Sequence, residues 1–146
     1  MTLFVDTSAL YALMDRDDLN HESATRFWNE IDVSETLLTH SYVLVETSAL
    51  VQRRLGVDAL RTLNDEVTLP ISTVFVDRAV HEAAVSGVLG AQLRHLSLVD
   101  MVSFEVMRRT GIKGAFAFDE HFARFGFEVH PSLTGRSMPL QSARHA

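Results

Sequence analysis

The feature that most constrains this chain is a recurring pattern: a short apolar run that stops at an acid and gives way to a helix. Residues 2–5 (Thr-Leu-Phe-Val) run into Asp6, and residues 114–118 (Gly-Ala-Phe-Ala-Phe) run into Asp119. Runs this short and this continuously apolar predict strands buried on both faces, as in a parallel sheet. Further strands are expected at 36–39, at 72–76 after the break at Pro70, and at Phe127 to Val129. Between them lie helical patterns over 8–15, His21 to Ile31, Ser41 to Leu55, about 57–67, Asp77 to about Leu89 and Ser97 to Thr110, with a helical turn at 120–125. Ala24, Phe27, Trp28 and Ile31 fall on one face of the second of these, and Gly56 and Gly111 stand as stops behind two others. Short strands alternating with helices predict an α/β fold, a parallel sheet with helices on both faces.

The chain has 146 residues, enough for one domain that buries roughly 70% of the surface exposed when unfolded. It therefore needs no disulfide or structural zinc to fold, and it has no cysteine. Charges return early, at Asp6, Asp15, Arg16, Asp17 and Asp18, which does not fit a secretory signal. No run approaches the ~20 apolar residues of a membrane helix. A soluble, cytoplasmic protein is expected. Thirteen basic and nineteen acidic side chains give a net charge of −6. That argues against a protein that coats nucleic acid with a basic face. It leaves room for a nuclease, which needs only a local cluster and a few phosphate contacts. The polar segment 132–146 is expected to be an appended tail to a domain spanning 1–131.

In a parallel sheet the carboxyl ends of all strands share one rim, and ligands bind there. Asp6 and Asp119 follow strands and so lie on that rim. The connecting helices run back the other way, so their N-termini begin at the same rim. Glu46 sits in the second turn of the helix after strand two, and Asp100 in the first turn of the helix leading to strand four. Four carboxylates from distant parts of the chain thus face one edge. Two carboxylates ~4 Å apart repel by about 4 kcal/mol at an effective dielectric of 20. Such a cluster calls for protonation or cations, and hard oxygen ligands suit Mg²⁺ and Mn²⁺. Thr7 and Ser8, beside Asp6, could add a hydroxyl to the site or a hydrogen bond to its acids.

Each acid also has a plain structural role open to it. Asp6 and Asp119 precede helices and could be N-caps. Ser97-Leu98-Val99-Asp100 has the form of a capping box. Glu46 interrupts the apolar run from Tyr42 to Leu50 and must face solvent, a partner charge or a metal. The seven histidines show no zinc-binding spacing; His121, two residues past Asp119, is assigned to the surface, with contact to substrate as the alternative.

These residues resemble a known family. Leu3 to Leu10, with Asp6, Thr7 and Ser8, is similar to the first motif of PIN domains. Thr39 to Ala49, with Glu46, resembles the second, and Leu96 to Asp100, continued by Ser103, Phe104 and Met107, the third. Phe116 to Phe122, with Asp119, followed by Phe125-Gly126-Phe127, resembles the fourth. The four motifs occur in order over about residues 2–130. The resemblance implies a Rossmann-like sheet of order 3-2-1-4-5 and metal-dependent cleavage of RNA. It implies Asp6, Glu46, Asp100 and Asp119 as catalytic, metal-binding acids. In length and wording the chain is most similar to the VapC group of toxin–antitoxin modules, which implies a homodimer and inhibition by a small VapB-type antitoxin protein.

Three other readings compete. One is a catalytically silent PIN-like module that binds RNA or metal, against which the complete acidic set speaks. Another is an RNA-processing nuclease that is not a toxin. The third is a phosphoacceptor regulatory domain, which wants two adjacent acids after strand one and a lysine on the rim. Here there is one acid, and the sole lysine, Lys113, precedes strand four at the opposite rim. A D-x-D phosphatase is excluded by Ser8, which stands where its second acid would be.

Overall fold

The computed structural model describes residues 1–132; the tail expected over 132–146 therefore lies, from 133 onward, outside the described residues. The elements are β1 (Thr2–Val5), α1 (Thr7–Met14), α2 (His21–Glu30), β2 (Thr36–His40), α3 (Ser41–Leu55), α4 (Val57–Thr62), β3 (Ile71–Val74), α5 (Arg78–Ala91), α6 (Leu98–Thr110), β4 (Gly114–Phe116), α7 (His121–Arg124) and β5 (Glu128–His130). All strand pairs are parallel, in the order β3-β2-β1-β4-β5. This is the expected fold.

Pairing outward from β1 in both directions reverses the sense of the crossovers, and right-handed crossovers then place helices on both faces. Successive strand residues point to opposite faces, and the aromatic contacts show which is which. Phe116 packs on Phe27 and Trp28 of α2, on the face where α1 meets α2 and α3. Phe4 meets Phe122 of α7 on the other face. There Phe104 of α6 contacts Phe122, Phe125 and Phe127, and α5 packs along α6. Phe4, Phe104, Phe116 and Phe122 are fully buried, each stabilising by roughly 1.5–3 kcal/mol relative to exposure.

Several element ends differ from the expected ones, and three of the differences have a local hydrogen-bonding reason. The helix expected over 57–67 is α-helical only to Thr62. Residues Leu63–Val67 form a π-helical turn, closed by a bond from Thr68 N–H to the Leu63 carbonyl at 3.0 Å. Strand β3 ends at Val74 rather than 76, because the Val76 N–H leaves the sheet and donates to Ser41 Oγ at 3.0 Å. Strand β4 ends at Phe116 rather than 118, because the Phe118 N–H donates to Ser8 Oγ at 2.9 Å. This last departure draws the chain ahead of Asp119 onto the start of α1.

Candidate active site

Asp6 ends β1 and caps α1. Its Oδ2 accepts the Ser8 N–H at 3.1 Å and the Ser8 hydroxyl at 2.6 Å, and it is only 4% exposed. Asp100 completes a capping box: Ser97 Oγ accepts the Asp100 N–H, and Asp100 Oδ2 accepts the Ser97 N–H, both at 3.1 Å. Asp119 stands two residues before the start of α7; its Oδ1 accepts the His121 N–H at 2.9 Å and pairs with His121 Nδ1 at 2.9 Å. The structural roles weighed for Asp6 and Asp100 are thus real, and they fix the two carboxylates at the rim. Capping and site-building are one arrangement, because a helix N-terminus that begins at the carboxyl rim puts its cap there.

Asp6, Glu46, Asp100 and Asp119 all line one open cleft of about 300 Å³, together with Thr7, Ser8, Tyr11, Asp18, Asn20, Leu50 and Phe118. Glu46 reaches it half-buried from α3. The cleft therefore draws acids from a helix on each face of the sheet and from two strand ends between them. Ligand atoms of Asp100, Asp119 and His121 lie within 4.8 Å of one another. His121, assigned to the surface from sequence, is a member of this group, with its side chain 13% exposed. Its signal in the sequence was the spacing of two from Asp119 across the start of a short helix.

The electrostatics follow from burial. Desolvation, with smaller contributions from Asp100 and Asp119, pushes Asp6 up to about 7 against the lowering effect of the Ser8 hydrogen bonds. Burial also raises Asp100; Asp119 adds to the rise, while the bonds to Ser97 and the nearby His121 oppose it. A carboxylate held against its own ionisation by burial, with neighbouring carboxylates adding to the effect, is of a kind that can exchange its proton for a cation. Oxygen donors of this number and charge fit Mg²⁺ or Mn²⁺ rather than a softer ion.

The two hydroxyls beside Asp6 divide their tasks. Ser8 holds Asp6 and Phe118. Thr7 turns to α3, where it accepts the Thr47 hydroxyl at 3.0 Å and donates to the Val43 carbonyl at 3.5 Å. It ties the helix that carries Glu46 to the one that follows Asp6.

The PIN domain family matches residues 3–128. The chain belongs to the PIN-domain family. Among curated proteins, it is 37% identical over 134 residues to the 23S rRNA-specific endonuclease VapC20 of Mycobacterium tuberculosis, covering 88% of this chain and 98% of the relative. The crystal structure of that protein, described as a sarcin-ricin loop cleaving toxin, superposes with a TM-score of 0.78 at 33% identity, over 86% of this chain and 95% of that one. VapBC2 from Rickettsia felis, bound to a promoter DNA fragment, gives 0.68 at 10% identity, over 89% of this chain and 98% of that one. FitAcB from Neisseria gonorrhoeae gives 0.65 at 11%, over 88% and 96%. These last two share the fold of the PIN domain described here. Among the described residues no helix of this domain is long and apolar enough to cross a membrane.

Proposed function

We propose that this PIN domain is a divalent-metal-dependent endoribonuclease and the toxin of a VapBC-type pair, with Asp6, Glu46, Asp100 and Asp119 as its catalytic, metal-binding acids. The observation that carries the reading is the single cleft lined by all four acids, two of them buried and with raised affinity for a proton. Identity across nearly the whole length of a curated rRNA endonuclease supports RNA as the substrate class.

In this reading Asp6 and Asp100, braced by Ser8 and Ser97, are the fixed part of the cation site. Glu46, less constrained, completes the site from α3, and Asp119 from the loop before α7. A divalent cation, Mg²⁺ or Mn²⁺, held by these acids would supply Lewis acidity toward the phosphodiester and a water. The acids would hold and orient the attacking water, and buried Tyr11 with half-buried Leu50 and Phe118 lines the apolar side of the cleft. His121 holds Asp119 through its Nδ1 and so fixes one wall of the cleft.

The remaining elements of the proposal are a domain spanning 1–131 with 132–146 as its tail, a homodimer, a VapB-type antitoxin as inhibitor, and a cytoplasmic location. The deciding experiment is cleavage of purified ribosomes and total RNA by antitoxin-free protein with Mn²⁺, with Mg²⁺ and with chelator, beside Asp6→Asn. Metal-dependent discrete fragments that vanish in the variant are expected. A folded wild type that cuts no RNA under any of these conditions sinks the proposal.

A further inference from the structure

His40 is the last residue of β2 and is wholly buried. Its Nδ1 accepts the N–H groups of Tyr42 and Val43, at 3.2 and 3.3 Å, and so caps α3. A ring nitrogen that accepts two backbone donors carries no proton, so the proton of the neutral ring is on Nε2. Nε2–H then donates to the buried Ser103 Oγ at 2.8 Å. The Ser103 hydroxyl in turn donates to the Val99 carbonyl at 2.9 Å. Every polar atom in this chain of bonds is satisfied, and burial lowers the His40 pKa to about 4, so the ring stays neutral.

The two helices joined by this chain lie on opposite faces of the sheet. His40 points to the α6 face, where its ring stacks on Phe4 at 5.6 Å, while its Nδ1 holds the first turn of α3. Glu46 is in the next turn of α3, and Asp100 adjoins Val99 in the first turn of α6. Acids drawn from two layers need a connection between the layers to keep their spacing, because ligand positions off by about 0.5 Å already weaken a metal site. The Thr7–Thr47 bond secures α3 to α1 on its own face. The His40–Ser103 bond connects α3 to α6 itself, beside the Tyr42–His81 bond at 2.6 Å that ties α3 to α5.

We propose that His40 is a positioning residue: its Nε2–H bond to Ser103 couples α3 to α6 through the sheet and sets the spacing of Glu46 and Asp100. The inference rests on the metal-dependent nuclease reading, since the spacing matters only if both acids hold the cation.

The two ring nitrogens can be tested separately. Asparagine ends its amide at the δ position, so His40→Asn keeps the helix cap but cannot reach Ser103. Glutamine ends at ε, so His40→Gln keeps the donor to Ser103 and loses the cap. Ser103→Ala removes the acceptor and leaves the cap untouched. Full-length wild type and the three variants would be titrated with Mn²⁺ by calorimetry and assayed for kcat and KM on RNA that the wild type cleaves, well below each Tm. Loss of a group bonded directly to a metal ligand typically costs about 10–100-fold in affinity or activity; His40 and Ser103 act on Glu46 and Asp100 through the backbone of α3 and α6, so the low end of that range applies.

His40→Asn and Ser103→Ala are expected to weaken Mn²⁺ binding and lower kcat about tenfold, with KM for RNA little changed. His40→Gln is expected to stay within about threefold of wild type in Mn²⁺ affinity despite a lower Tm. The inference is overturned if Ser103→Ala binds Mn²⁺ and turns over like wild type. It is also overturned if His40→Gln is as impaired as His40→Asn, which would make the cap the essential contact. If the His40 variants fail to fold, Ser103→Ala decides alone. A wild type that binds no Mn²⁺ instead defeats the nuclease reading, and the inference with it.

Discussion

The Ser8 hydroxyl donates to Asp6 Oδ2 at 2.6 Å while accepting the Phe118 N–H at 2.9 Å, so one side chain holds the acid after β1 and the backbone just ahead of Asp119. Two of the four acids are therefore positioned through a single oxygen. Ser8→Ala removes both bonds, at a cost of about 1–3 kcal/mol. A Mn²⁺ affinity about tenfold lower is also expected. Chemical denaturation and calorimetric titration measure the two effects independently. An unchanged Mn²⁺ affinity would show that Asp6 keeps its place without Ser8.

Neutralising Asp6 should separate stability from metal binding. Asp6→Asn removes a buried charge that Asp100 and Asp119 oppose, and the amide oxygen can still accept from Ser8. In chelator at pH 8 its Tm is expected to equal or exceed that of wild type. Added Mn²⁺ should raise the Tm of the wild type and leave that of the variant nearly fixed, since only a ligand bound to the folded state stabilises it. A variant that gains as much from Mn²⁺ as the wild type would remove Asp6 from the cation site.

The raised Asp6 fixes the sign of the pH dependence. In the folded, metal-free protein its proton is held up to about pH 7, whereas an unfolded aspartate releases it near ~3.9. Between those values the folded state holds more protons at Asp6, so the Asp6 contribution to metal-free stability, read as wild type against Asp6→Asn, declines as pH rises from 4 to 7 and then levels; buried His40, lowered to about 4, contributes in the opposite direction in both proteins. Asp100 is shifted in the same direction as Asp6. A cation competes with the same protons, so Mn²⁺ affinity should climb over this interval. Denaturation midpoints in chelator and Mn²⁺ titrations, both at pH 5, 6, 7 and 8, check the two slopes. A flat affinity profile would mean that Asp6 ionises freely.

Phe104 anchors the helix that bears Asp100. It is fully buried and contacts Phe122, Phe125 and Phe127. Phe104→Ala is expected to cost 3–5 kcal/mol, as for other large-to-small aromatic changes in cores, read from urea denaturation. A loss below about 1 kcal/mol would mean that the cluster collapses onto the vacated space.

Much of this architecture is written locally. Continuous apolar runs ended by acids mark β1 and β4. The Ser97–Asp100 spacing marks the capping box that is found, and Gly56 and Gly111 mark where α3 and α6 stop. The ends of β3 and β4 were less legible, because each is decided by a side chain from elsewhere. Ser41 takes the Val76 N–H, and Ser8 takes that of Phe118. Neither bond, spanning 35 and 110 residues, leaves a periodic trace in the sequence.

The division at the site is the same. Sequence alone determined that Asp6, Glu46, Asp100 and Asp119 share a rim, because parallel strands align their carboxyl ends and the connecting helices begin there. Only the tertiary structure decided that they line one cleft, that His121 joins Asp100 and Asp119 within 4.8 Å, and that His40 reaches Ser103 across 63 residues. Period and capping report on neighbours within a few residues, whereas distances across a cleft are set by how two helical layers pack on a twisted sheet.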